Sequence, residues 1–541
     1  MQYKRTIVTS ALPYANGPIH IGHLAGCLLP ADIYTRYLRL KGEEVIFICG
    51  TDEHGVPITI AAQKNNITPQ NVVDKYHKII KDSLSALGIS FDIFSRTTNP
   101  IHKSTSSEFF LKLYQNGNLV AKSTQQYYDP NVNQFLADRY IRGTCPKCAY
   151  EDAYGDQCEK CGVTLSPHEL INPRSMLSSQ PPILKSTKHW YFQLQNYESW
   201  LKHWILEEHT DWKINVYGQC KAWLNQGLIE RPITRDLDWG VEVPIKEAKG
   251  KVLYVWFDAP IGYISFTKEL LGEEKCNIYW KSKDTRLIHF IGKDNIVFHS
   301  IIFPAMLKAH GDYILPDVVC GNEFMNLEGD KISTSRNHAI WLDDFLKSHV
   351  DSQDVLRYVI SANMPETKDS NFTWEDFKNR NNNELVDIFG NFVYRTLSMS
   401  QRYCDGRVST ISELKEEDIA LFRIVNSLID AVGKNLDMLH FRDALENVMN
   451  IARMGNKYLT QYEPWIIFKT SPQRAKDIVN VCIQIVAKLG IVSSPFLPFT
   501  SQKIYNIFDL GKNIQWGESL KNAIVKNDYV IKNFSLLFNK I

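Results

Sequence analysis

KRTIVTSALPYANGPIHIGHLAGCLLPADIYTRYLRLKGEEVIFICG, residues 4–50, decides the fold class. Residues 4–9 form a short apolar run of strand character, broken by a loop rich in turn formers, Pro13, Asn16, Gly17 and Pro18. Leu24, Cys27, Leu28, Ala31, Tyr34 and Leu38 then recur at helical spacing, Asp32 and Arg36 stand one turn apart, and Gly42 supplies a stop. Residues 44–50 are again a continuous apolar run of strand length. Strand, helix and buried strand make a βαβ unit. Such a unit implies a parallel sheet with its ligand site at the carboxyl ends of the strands, where the loop from Leu12 to His23 falls.

Around this unit the chain has 541 residues, enough for about three or four domains. Apolar residues at 44% and charged residues at 22% exclude a disordered or fibrous chain. With 61 Lys+Arg against 60 Asp+Glu, any nucleic acid must be met by a local basic patch. The most apolar stretch, Ile478 to Ile491, carries Asn480, Gln484 and Lys488 four residues apart, the polar stripe of an amphipathic helix rather than a membrane span. The N-terminal residues lack an apolar signal core, so the expectation is a cytoplasmic protein without a membrane. There the eleven cysteines must be buried thiols, metal ligands or nucleophiles.

From residue 116 to about 240 the pattern changes to loops, two CxxC pairs and the aromatic segment beginning at His189, which reads as an insertion. Three strand-like runs follow, VLYVWFDA (252–259), RLIHFIG (286–292) and PDVVCGN (316–322), so the sheet is split by the insertion. After residue 380 the pattern is helical to residue 541, with Leu421, Ile424, Leu428, Val432, Leu436 and Leu439 as one apolar face and Asn381 to Asn383 as a polar boundary.

Three motifs carry chemistry. His20-Ile21-Gly22-His23 stands where a loop enters a helix. Two imidazoles on one side of a helix N-terminus, beside free backbone N–H groups, suit a nucleotide phosphate, and Gly22 allows close approach. The bland alternative is a pair of exposed capping histidines. GDKISTSRN, residues 329–337, puts Lys331 on a polar loop, from which a cation can follow charge as it builds on a transferring phosphoryl group. Cys145-x2-Cys148-x9-Cys158-x2-Cys161 can close a tetrahedron around one structural Zn²⁺, each pair a knuckle aided by Pro146 and Gly162. Disulfides or a redox dithiol are the alternatives. Cys27, Cys49, Cys220, Cys276, Cys320, Cys404 and Cys482 have no ligand spacing and read as core thiols. Neither G-x-G-x-x-G nor G-x-x-x-x-G-K-[ST] occurs, which argues against a nicotinamide dehydrogenase and a P-loop ATPase.

The HIGH string after the first strand and the K-x-S-x-S loop after the last strands resemble the signature pair of class I aminoacyl-tRNA synthetases. ALPYANGPIHIGH (11–23), FICGTDEHG (47–55), YVWFDAPIGY (254–263) and FIGKDNIVFH (290–299) narrow the likeness to the methionyl-tRNA synthetases, and it runs through most of the chain. The resemblance implies an α/β fold: a Rossmann-like parallel sheet split by a zinc-binding connective insertion, followed by an α-helical bundle that binds the anticodon. The corresponding spans are 1–115, 116–240, 241–330, 331–380 with the lysine loop and linker, and 381–541.

It further implies catalysis by His20, His23 and Lys331, without a protein nucleophile, and an ATP site of these residues with Gly22, Gly292, Asp294, Thr334 and Arg235. Asp52 matches the ammonium-binding aspartate. Leu12, Tyr14, Trp256, Ala259, Pro260, Tyr263 and His299 match positions lining a methionine pocket, with Phe303 in place of another aromatic. Asn391, Arg395 and Trp465 match anticodon-reading residues. The implied ligands are methionine tRNA, L-methionine and ATP with Mg²⁺, and a monomer is the expected state. The usual loop is K-M-S-K-S, and here Thr334 replaces its second lysine, so a hydroxyl stands where a charge is usual. The residues by themselves leave open a HIGH-type nucleotidyltransferase that uses no tRNA, and a non-catalytic zinc-ribbon RNA-binding protein.

Overall fold

The computed structural model describes residues 3–155, 158, 160, 161, 163, 165–334, 336–511 and 515–541; Gly162 and Ser335, named above, lie outside the described residues. Its centre is a sheet of β1 (Arg5–Ser10), β2 (Glu44–Thr51), β3 (Ile93–Arg96), β4 (Thr285–Gly292) and β5 (Val318–Asn322), in the order β5-β4-β1-β2-β3. All four neighbouring pairs are parallel. Both faces are covered, which is why these strands read as continuous apolar runs. The order reverses between β1 and β4, and an open α/β sheet takes its ligand in the crevice at that point.

The chain leaves β1 through a loop and enters a continuous helical stretch: Ile21–His23, a π-type turn Leu24–Leu28, and Leu29–Leu40. Asn322, at the end of β5, donates its side-chain amide to the Ala25 carbonyl at 2.9 Å, serving an oxygen within the π-type turn. Further along, Asp32 is fully buried and its Oδ2 accepts from Arg36 (2.9 Å) and from the fully buried Arg357 (2.7 Å). Burial alone would raise the Asp32 pKa; the two guanidiniums more than offset this and hold it at about 2. Arg357 also donates to the carbonyls of Pro495 and Phe496, so one buried ion pair joins the sheet's first helix, helix Gln353–Ala362 and the C-terminal helical region.

The insertion is built on a long antiparallel pair, Leu119–Asp129 with Ile183–Phe192, and the cysteines lie between its strands in sequence. VLYVWFDA is not the strand its aromatic and β-branched residues predict. Only Val252–Leu253 is strand, and Val255–Lys281 is helical, with a break at Gly272 (φ +78°). Phe257, Ile261 and Ile264 stand at i, i+4 and i+7 and pack into one core with Ile7, Ile46, Ile48 and Leu287 of the sheet, and that burial overrides local preference.

The helical region departs from expectation in three ways. Helix Glu416–Asp437 buries Leu421, Val425, Ile429, Val432 and Leu436, leaving Ile424 47% exposed, so its inward face is turned from the predicted one. Asn381 to Asn383 are no boundary: they lie inside the helical run Arg380–Gly390, where Asn381 donates to the Asn539 carbonyl and Asn382 to that of Ile541. The last helix is Pro498–Phe508, beyond which the described residues are irregular apart from the 3-10 turn Glu518–Lys521.

The stripe of Asn480, Gln484 and Lys488 is not solvated but at most 3% exposed. Gln484 Oε1 accepts from the Ile524 and Val525 N–H groups (2.8 and 3.0 Å), and its Nε2 donates to Val525 O (2.9 Å). Lys488 donates to Asn426 Oδ1 and Lys521 O. A segment without secondary structure must place its backbone polar groups somewhere, and this helix supplies the partners. Among the described residues no helix is long and apolar enough to cross a membrane. Gln484→Leu would orphan these backbone groups and is expected to lower stability by about 2–4 kcal/mol, read as a lower urea midpoint with faster amide exchange at Ile524 and Val525.

Candidate active site

The HIGH segment and the lysine loop are joined by main chain. Ile21 N donates to Ile340 O (3.2 Å) and Leu342 N to Ile19 O (2.9 Å), which sets His20 opposite Trp341 in an antiparallel bridge with ring centroids 5.8 Å apart. Upstream of the bridge, Asp330–Lys331 pairs with Met325–Leu327, just beyond β5, Lys331 opposite Asn326. His20, Gly22, His23 and Lys331 therefore line one cleft of about 600 Å³ at the carboxyl ends of the sheet.

The two histidines cap the helix reciprocally. His20 Nδ1 accepts from Gly22 N and His23 Nδ1 accepts from His20 N, both at 3.1 Å, with the rings 3.9 Å apart. With Nδ1 used as acceptor, each neutral ring carries its proton on Nε2. Burial, helped by His23, pushes His20 down to about 2, and burial pushes His23 down to about 4, so both are uncharged donors at neutral pH. They are capping histidines, but not exposed ones. A Cβ on Gly22 would stand 3.0 Å from the His20 ring and 3.4 Å from Ile332 Cδ1, so the space this glycine leaves is taken by its own neighbours.

Across the cleft, Leu12, Tyr14, Trp256, Ala259, Pro260, Tyr263 and His299 form a largely apolar wall. Tyr263 OH donates to His299 Nε2 at 2.8 Å, and His299 Nδ1 donates to Asn295 O at 3.1 Å; burial keeps this imidazole near 4 and neutral. Asp52 closes one end. Its backbone is paired with the Pro13–Ala15 loop, its carboxylate is 5% exposed, and burial, with Asp258 and Glu53 nearby, raises its pKa well above 3.8. At the other end, Gly292 closes β4, and a Cβ there would come within 2.7 Å of Asp294 Oδ1.

Three predicted residues stand elsewhere. Phe303 is fully buried behind the wall, 6.2 Å from the Tyr263 ring, because it continues the helix inward after His299. Arg235 lies over the Tyr254 ring (3.9 Å), paired in a short strand with Val252. Thr334 is exposed on the lysine loop, its carbonyl accepting from Asn337 N. The cleft also includes residues the sequence reading passed over: Asn295, Phe298, Ile332 and the run Glu323 to Asn326. The rule that ligands sit beyond strand ends could have found the last, since it directly follows β5.

The four cysteine sulfurs of 145, 148, 158 and 161 all lie within 4.8 Å of one another, with Sγ–Sγ separations of 3.9 Å (Cys145–Cys161) and 3.6 Å (Cys148–Cys158). These are no disulfides. They match the edge of about 3.8 Å that a tetrahedron with metal–sulfur bonds of about 2.3 Å requires. The cluster can hold a metal ion. The other seven cysteines are buried thiols. In the helical region, Asn391 and Arg395 share the helix Asn391–Cys404, and the Arg395 guanidinium lies 5.6 Å from the centroid of the half-buried Trp465.

Comparison with known proteins accords with this architecture. Residues 6–397 match the family model described as tRNA synthetases class I (M), and residues 408–541 that of the anticodon binding domain of methionyl tRNA ligase. The chain belongs to the methionyl-tRNA synthetase family. It is 58% identical over 546 residues to the methionine–tRNA ligase of Cytophaga hutchinsonii, covering 99% of this chain and 79% of that protein. It is 56% identical over 539 residues to that of Bacteroides fragilis, covering 100% and 79%. Among solved structures it is similar to Mycobacterium tuberculosis methionyl-tRNA synthetase in complex with methionyl-adenylate, with a TM-score of 0.82, 24% identity and 99% of each chain covered. The function is that of a methionine–tRNA ligase. Gly22→Ala, which pushes on the His20 ring, is expected to lower methionine-dependent ATP–pyrophosphate exchange about tenfold or more, a barrier increase of about 1.4 kcal/mol, with an unchanged melting temperature as the control.

Proposed function

We propose that this synthetase activates methionine in the cleft between the HIGH helix and the lysine loop. The methionine carboxylate attacks the α-phosphorus of ATP, pyrophosphate leaves, and the methionyl-adenylate passes its acyl group to the 3'-terminal ribose of initiator and elongator methionine tRNAs. The observation that carries this reading is the main-chain bridge at His20 and Trp341, which keeps both motifs on one cavity.

Methionine lies with its ammonium at Asp52 and its thioether against Leu12, Tyr14, Trp256, Ala259, Pro260, Tyr263 and His299. Burial disfavours the Asp52 charge, and the methionine ammonium favours it. Polarisable sulfur suits an aromatic wall, and the Tyr263 hydroxyl is aimed by its bond to His299. Phe303 supports that wall from behind.

ATP lies over Gly22, with Gly292 and Asp294 at its nucleoside end. His20 and His23 donate Nε2–H bonds to phosphate oxygens as neutral imidazoles, so they position the triphosphate and follow its charge without supplying a full one. The cleft's described lining carries Asp52, Asp294 and Glu323 against the single lysine Lys331, an acidic surface for a polyanion. Mg²⁺ accompanying ATP supplies the remaining positive charge, and Lys331 follows the pyrophosphate as it departs. Thr334 adds a hydroxyl to that loop. Arg235, from its place over Tyr254, serves the nucleotide after loop rearrangement.

The Cys145, Cys148, Cys158 and Cys161 cluster holds one structural Zn²⁺, all four positions being filled by sulfur. Trp465 stacks an unpaired anticodon base, with Asn391 and Arg395 supplying polar contacts on the neighbouring helix. The working unit of this reading is a monomeric cytoplasmic enzyme.

His23→Ala is expected to slow adenylate formation by one to several orders of magnitude in rapid pyrophosphate exchange, with methionine affinity little changed; an unaltered rate would remove the histidine from the mechanism. Trp465→Ala is expected to lose affinity for methionine tRNA in a filter-binding assay while retaining amino-acid activation. Unchanged binding would mean the anticodon is read elsewhere.

A further inference from the structure

Behind the apolar wall lies a polar constellation outside the scheme above. His54, His102 and Asp258 are each no more than 2% exposed, and one donor atom from each lies within 4.8 Å of the others. His54 Nδ1 stands 2.6 Å from Asp258 Oδ2, and His102 Nε2 stands 3.4 Å from the same oxygen. His102 is held in turn, its Nδ1 2.9 Å from Ser265 Oγ and its Nε2 3.2 Å from Ser106 Oγ. Among the described residues Asp258 Oδ1 has no hydrogen-bond partner, so the carboxylate is aimed through Oδ2. Trp239 covers His54 edge-on at 6.2 Å and bonds its indole N–H to the Glu53 carbonyl, closing the site from solvent.

The two elements joined here face the same ligand. His54 belongs to the loop after β2, two residues beyond Asp52, and its backbone N–H points at Asp52 Oδ1 at 3.4 Å. Asp258 sits in the first turns of the helix Val255–Lys281, between Trp256 and the pair Ala259 and Pro260, with Tyr263 following. That helix has no side-chain cap at Tyr254, and its entry is held by the main-chain bonds of Leu253 N to Val241 O and Tyr254 N to Ile233 O. A buried hydrogen bond to a carboxylate is short and directional, and it resists sliding where apolar packing would not.

We propose that the His54–Asp258 pair is a positioning device for methionine recognition: it locks the helix bearing the thioether wall to the loop bearing the ammonium-binding carboxylate, at the separation that one amino-acid side chain must span. The inference rests on the methionine pocket proposed above. His102 serves as the wedge that backs Asp258 from the helix Pro100–Gln115. The 2.6 Å contact is a hydrogen-bond distance.

The test is steady-state ATP–pyrophosphate exchange on the full chain, with KM for methionine and for ATP measured separately. His54→Ala is expected to raise the methionine KM at least about tenfold while the ATP KM and kcat stay within about threefold. His54→Asn, whose amide nitrogen occupies the Nδ1 position, is expected to restore the wild-type methionine KM. His54→Gln, whose amide reaches the Nε2 position instead, is expected to resemble alanine, and the Asn–Gln comparison carries the test if His54→Ala does not fold. A rise in both KM values together, or Asn no better than Gln in proteins of equal melting temperature, would overturn the proposal. So would metal analysis finding an ion in the wild type that His54→Gln loses while the cysteine cluster keeps its own. Asp52→Asn is run alongside. If it leaves the methionine KM unchanged, the pocket assignment fails; if it raises it and the His54 variants do not, only the positioning role fails.

Discussion

Two backbone hydrogen bonds, Ile21 N to Ile340 O and Leu342 N to Ile19 O, are the constraint on which the site depends. They join segments more than three hundred residues apart and put the lysine loop across the mouth of the β1–β4 crevice. Without them His20 and His23 would cap a helix at the edge of a sheet, and Lys331 would be an exposed lysine on a surface turn. Main-chain bonds suit this task because they leave the side chains on both strands free for the ligand.

The interior of the site follows one electrostatic rule. Its histidines are kept uncharged: the half-buried His20 and His23 each commit Nδ1 as an acceptor, so that the Nε2–H points in a fixed direction, while the buried His299 donates Nδ1–H to Asn295 O and accepts from Tyr263 at Nε2. Its carboxylate at Asp52 is buried, which raises its pKa well above the usual carboxylate value. Preorganised dipoles and an unpaired acid are cheaper to hold in a dry cleft than full charges, and they gain most when the ligand brings the charge with it. The same economy governs the helical region, where Asn381, Gln484 and Lys488 are buried because each satisfies backbone groups of the C-terminal segment.

Much of this was legible in the chain. The βαβ reading of residues 4–50 gave β1, the helix after it and β2 nearly to the residue, because there the apolar period, the glycine stop and the buried strand all agree. The cysteine spacing gave the sulfur cluster, since short CxxC turns fix two ligands locally whatever the remainder of the fold does. Misreadings arose where local preference and tertiary burial disagree. VLYVWFDA has the composition of a strand and the burial of a helix, and the polar stripe on helix Pro472–Val492 has the period of a solvated face but the partners of a core. Phe303 and Arg235 are placed by packing against Tyr263 and Tyr254, contacts that no spacing announces.

The sequence by itself determined the parallel α/β core, the cysteine cluster and the residue types able to handle a nucleotide and a thioether amino acid. These follow from periodicity, glycine and cysteine placement and side-chain chemistry, which act over a few residues. Only the tertiary structure decided that His20 and Lys331 share a cavity, that the histidines are neutral donors, and that His54 grips Asp258. Proximity across hundreds of residues, and the burial that shifts a pKa, are properties of the folded packing and have no local signature in the chain.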